Sequence, residues 1–203
     1  AYSNNRRNRF RFATIFMKKI TLLTRLSFGK NIATACTLLL IPTIGFGIEL
    51  AQLHRLSLAE LEAQQQLTPQ RTDVKLALVR KLGQSYQQRA LDILDTIQPD
   101  QQDRSLQLHV KAMRCELNIR RGETDLAAQF CEGLEPELEN ESVSTISRVV
   151  ALNALGYENV RAGRGTLALQ YFESGLQEIG QEDDVTKVTL LHNRGVALML
   201  SGL

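Results

Sequence analysis

The chain has 203 residues, 43% of them hydrophobic and 23% charged, with no Trp and a formal net charge of +2. That length holds one or two domains or a short repeat array, and the bias towards Leu, Ala, Gln, Glu and Arg disfavours sheet. The charge is unevenly spread: residues 1–48 carry eight of the 24 bases and no acid, leaving 16 bases against all 22 acids in the remainder, a net charge of −6. A basic tail on an acidic body argues against nucleic-acid binding by the folded part.

In chain order, residues 1–16 read as a basic tail or upstream sequence. Residues 17–48 read as a signal peptide or signal anchor, with Met17 followed by Lys18, Lys19, Arg25 and Lys30 and then a run without charge until Glu49. Gly45 and Gly47 supply the small residues that a signal peptidase needs. The apolar core is shorter than the roughly 20 residues of a spanning helix. If uncut, its basic flank would stay on the inner side of the membrane and the rest of the chain outside. The alternative is a buried helix of a soluble protein.

Residues 49–69 form a helical lead-in, with Leu50, Leu53, Leu56, Leu58 and Leu61 on one face before Pro69. Leu76, Leu78, Val79 and Leu82 make the next short helix, ended by Gly83. Ser85 is expected to cap a helix carrying Ala90, Leu91, Ile93, Leu94 and Ile97, which stops before Pro99. Asp103 is expected to cap Leu106–Arg121, and Thr124 or Asp125 opens a helix ending near Pro136. Ser142–Arg161, Thr166–Ile179 and Val185–Ser201 complete an all-α series. Short linkers make neighbouring helices antiparallel. Gly122, Gly163 and Gly202 each follow a helical run, 41 and 39 residues apart, and self-similarity at that period marks stacked units.

These hairpins resemble tetratricopeptide repeats. Leu152, Leu155, Gly156, Gly163, Ala168 and Phe172 follow that family's pattern in order, with Asn159 where Tyr is usual and Gly175 where Ala is usual. Gly122, Ala127 and Leu134 carry a second repeat, Ala90 and Leu94 an earlier one, and Gly195 and Gly202 the next. The resemblance covers residues 70–203 and implies antiparallel helical hairpins stacked as an α-solenoid, with an extended concave binding face. The repeat register puts His109, Ala112, Glu116 and Ile119, then Val150, Asn153, Tyr157 and Val160, then Thr189, His192 and Val196 on that face. No cofactor is implied.

Cys115 and Cys131 flank the turn at Gly122 almost symmetrically, which sets them opposite each other across a hairpin. In an exported chain they would form a disulfide; otherwise they are two small buried hydrophobes. His54, His109 and His192 lie far apart with no metal-ligand spacing, and no phosphate loop, nucleophile elbow or dinucleotide fingerprint occurs. The acidic stretch Glu132, Glu135, Glu137, Glu139 and Glu141 lacks calcium-loop spacing and reads as a solvated linker.

The expected protein is therefore a non-catalytic module, exported to the periplasm or anchored facing it, that binds a protein or peptide in its groove. A second expectation is the sensor portion of a membrane-bound diguanylate cyclase or histidine kinase whose catalytic part lies beyond Leu203, by architectural analogy. A third is an anchored scaffold for envelope machinery. The run ends at Leu203 inside a repeat, which reads as a fragment of a longer array.

Overall fold

Nine α-helices, one short 3-10 helix and no strand make up the described residues, 50–179 and 183–202 of this computed structural model. They belong to one contact unit, Gly47–Leu203. The tail 1–16 and the apolar segment 17–48 lie outside the described residues.

Helices α1 (Leu50–Arg55) and α2 (Leu58–Leu67) divide the lead-in that the Leu spacing reads as one face. The break is chemical. Ser57 accepts from the Glu60 amide while Glu60 accepts from the Ser57 amide at 2.8 Å, a reciprocal cap that starts a new helix. Leu53 and Leu61 are still fully buried, and Leu50, Leu56 and Leu58 pack against them partly covered. Helix α3 (Thr72–Leu82) follows, then α4 (Gln87–Asp95). Here the sequence reading needs correction: the N-cap of α4 is Tyr86, without a side-chain hydrogen bond, and not Ser85.

Helix α5 (Arg104–Arg121) begins as expected at Asp103, whose side chain accepts from the Leu106 amide at 2.9 Å. It ends at Gly122, where φ is +80°, a left-handed turn that costs an L side chain about 1–2 kcal/mol. Gly163 (+73°) and Gly202 (+71°) share this conformation, so the 40-residue glycine spacing reports a repeated helix-ending turn. Helix α6 (Thr124–Cys131) is shorter than read from the sequence; a 3-10 turn at Glu135–Glu139 takes up the residues around Pro136. Helices α7 (Thr145–Arg161, capped by Ser144 and starting later than the expected Ser142), α8 (Gly165–Glu178) and α9 (Asp184–Leu200, capped by Asp183) complete the series.

Helices adjacent in the chain pack in pairs, and α5, α7 and α9 also pack side by side. The core follows that order. One buried cluster joins α1–α4 to Val110 and Leu117, a second joins α5, α6 and α7, and a third joins α7, α8 and α9. Each fully buried Leu contributes roughly 1.5–3 kcal/mol. Gly156 lets the α8 ring of Phe172, itself fully buried, lie against the α7 backbone. Asn159, the departure from the usual Tyr, is buried: its Nδ2 donates to the Leu155 carbonyl at 2.8 Å and its Oδ1 accepts from Arg164 Nε at 2.6 Å. Among the described residues no helix is long and apolar enough to cross a membrane.

Candidate functional site

The face shared by α5, α7 and α9 is met from the other side by α1 and α3. Arg80 on α3 donates to Thr186 Oγ1 at 2.8 Å and to Thr189 Oγ1 at 3.1 Å. His54 Nδ1 on α1 sits 3.3 Å from Asp183 Oδ2 at the start of α9, 129 residues away in the chain. Early and late helices thereby enclose an inner cavity of about 70 Å³, lined by polar groups of all five helices. A wider outer pocket of about 640 Å³ adjoins it and shares Gln84, Arg120 and Thr189.

The residues nominated from the repeat register divide between these spaces. His109, Glu116, Val150, Asn153 and Thr189 line the inner cavity. Tyr157, Val160, His192 and Val196 line the outer pocket, as does Thr189. Ile119 and Ala112 reach neither: both are buried in the cluster around Cys115 and Cys131, because they turn towards α6 and α7.

Other side chains of the site were not among those nominated from the sequence. Arg80, Arg120, His54, Thr186 and Asn193 each contribute. Arg80 had one legible trace, a base inside the apolar run Leu76–Leu82. Arg120 stands four residues after Glu116, the spacing of a helical ion pair. His54 could not be found that way, since only tertiary packing brings it near residues 109 and 183.

One network lies between the two spaces. Arg120 Nε and Nη2 donate to Glu116 Oε1 at 2.9 and 2.7 Å, and Asn153 Nδ2 donates to Glu116 Oε2 at 2.9 Å. Asn193 Nδ2 donates to Asn153 Oδ1 at 2.8 Å, tying α9 to α7 and α5. The Arg120 guanidinium lies 4.6 Å from the Tyr157 ring centroid, a cation–π contact. Burial opposes the charge on Arg120, but Glu116 outweighs it and holds the guanidinium protonation above its ordinary range.

The buried histidines are neutral. Burial pushes His109 down to about 3, with the charge of Arg80 adding to the shift. Its Nδ1 lies 3.4 Å from Ser147 Oγ; so weak a base is suited to hydrogen bonding rather than to proton abstraction at neutral pH. Burial also lowers His54, partly offset by its hydrogen bond to Asp183. For Asp183, burial alone would raise the carboxyl, but the hydrogen bonds from His54 and Thr186 outweigh it and hold it well below the usual range. The pair is a neutral imidazole donating to a carboxylate. Burial lowers Arg80 as well, against the more distant charges of Asp183 and Glu116.

Behind the groove, Cys115 and Cys131 stand with Cα atoms 5.1 Å apart and sulfurs at bonding distance, pinning α5 to α6. Among the described residues no three His, Cys, Asp or Glu side chains gather as metal ligands. The chain matches no protein-family model, no curated protein and no solved structure.

Proposed function

We propose that this chain is an extracytoplasmic interaction module of tetratricopeptide-like hairpins stacked as a solenoid, binding a protein or peptide on the face of α5, α7 and α9. The observation that carries this reading is the outer pocket, where Tyr157, Val160, His192 and Val196 from two successive first helices line one continuous space. The left-handed glycines at 122, 163 and 202 and the Gly156–Phe172 contact support the repeat assignment. The signal or anchor reading of 17–48 and the facing Cys115–Cys131 pair support export to the periplasm, with a membrane contact if the segment is uncut. The acid surplus beyond residue 48 disfavours nucleic acid.

A peptide array probed with the full chain tests the reading, followed by titration of the best binders against Tyr157→Ala and Val196→Asp. Tenfold or greater weakening by either change is expected, with the circular dichroism spectrum unchanged. Indifference to both substitutions sinks the assignment of the groove.

A second reading is favoured by the inner cavity, which is small but lined by convergent polar groups of five helices. In that reading the chain is the sensor portion of a larger membrane-bound cyclase or kinase. Its test is the downstream reading frame, where a membrane span followed by a catalytic signature is expected.

A further inference from the structure

Among the described residues Arg80 makes no direct ion pair with a carboxylate. A guanidinium has five N–H donors in a planar fork suited to a carboxylate. Two hydrogen bonds of Arg80 go to neutral hydroxyls, Thr186 and Thr189, and among the described residues no carboxylate lies within ion-pair distance of it. Asp183 is one hydroxyl removed, because Thr186 Oγ1 donates to it and accepts from Arg80. Glu116 is engaged by Arg120 and Asn153. Arg80 is half-buried on the wall of the inner cavity, where a guanidinium without a direct ion pair can take a carboxylate.

We propose that the inner cavity binds a small carboxylate, gripped by the Arg80 fork where α3 meets α9. Size supports a short acid. A volume of about 70 Å³ is room for about five waters, close to acetate or succinate, and too little for a folded segment. A bound carboxylate supplies the bidentate partner that Arg80 lacks. Because Arg80 also holds Thr186 and Thr189, occupancy strengthens the contact between the early helices and α9. The inference uses the same concave face as the interaction reading but does not require peptide binding, so the two fail separately.

The test is calorimetric titration of the full chain with sodium acetate and sodium succinate, at ionic strength fixed by chloride. Saturable one-to-one binding is expected for the wild type, with at least tenfold weakening in Arg80→Met. Should Arg80→Met fail to fold by circular dichroism, Arg80→Lys takes its place. It keeps the charge and removes the fork, and at least fivefold weakening is expected. Absence of saturable binding of either acid by the folded wild type overturns the proposal, as does equal affinity in the Arg80 variant. Binding of inorganic phosphate tighter than both acids also overturns it. Binding of an acidic peptide but of neither free acid overturns it too, and leaves the groove reading standing.

Discussion

Replacing Gly156 with alanine adds one methyl group where α7 crosses α8. An ideal Cβ there falls 2.4 Å from Phe172 Cε1 and 2.7 Å from both Cδ1 and Cζ, against an ordinary carbon–carbon contact of about 3.5–4.0 Å. Phe172 has no solvent exposure, so its ring cannot swing outward, and close-packed interiors absorb such an overlap poorly. Helix propensity alone favours alanine by about 1 kcal/mol. Overpacking costs about 1–3 kcal/mol, and three ring atoms in conflict place this site at the upper end. The net expectation is a loss of about 2 kcal/mol, or about 4–8 °C in Tm for a domain of this size. Urea unfolding followed by circular dichroism measures it. In a Phe172→Leu background the same Gly156→Ala change should be neutral or stabilising, giving a coupling of at least about 1 kcal/mol. A Gly156→Ala protein as stable as wild type, with Phe172 present, would refute the packing argument.

Gly122→Ala meets nothing within 4 Å, so its cost is the left-handed backbone alone, about 1–2 kcal/mol; a neutral result in the same unfolding assay would contradict that conformation. Acid should weaken the fold in a specific window. The folded His109 titrates at about 3, so between that pH and about 6.5 the unfolded chain binds more protons and stability falls as pH falls. At pH 5 the loss from His109 is about 2 kcal/mol relative to neutral pH. His54, also lowered, adds to it in the same direction, whereas Asp183 loses its contribution only at still lower pH. The difference in stability between pH 7 and pH 5 should therefore shrink by about that amount in His109→Gln; an unchanged difference would show that burial does not set its charge. Reduction of a Cys115–Cys131 disulfide, which spans 16 residues, should lower stability by about 3 kcal/mol. Alkylation and mass spectrometry before and after reductant report the bond, and alkylation of both Cys115 and Cys131 in the unreduced protein would count against it.

The helices were largely legible because their signals are local. Asp103 reads as a cap from its own place before an amphipathic run, and the glycines at 122 and 163 read as turns because each follows one. The division at Ser57 was equally local, written in Ser57-Leu-Ala-Glu60, and a continuous Leu face obscured it. At Ser85 the local signal misled. The chain turns on backbone bonds, Tyr86 N donating to the Leu82 carbonyl at 2.7 Å, so the serine side chain is not used. The site was half legible: Glu116, Asn153, Tyr157 and His192 follow from repeat register, while Ile119 shows that an error of one residue, about 100° around the helix, puts a core position where the pocket residue is Arg120.

The sequence by itself determined the all-α class and most helix ends. Helix periodicity, caps and left-handed turns depend on residues within a few positions of one another. Only the tertiary structure decided that residues 54 and 183, and 80 and 189, meet across more than a hundred residues. That meeting encloses a cavity, takes His54 and His109 out of water and leaves Arg80 facing hydroxyls instead of a carboxylate. Contacts between residues so far apart depend on the packing of every helix between them, and no single stretch of sequence records that sum.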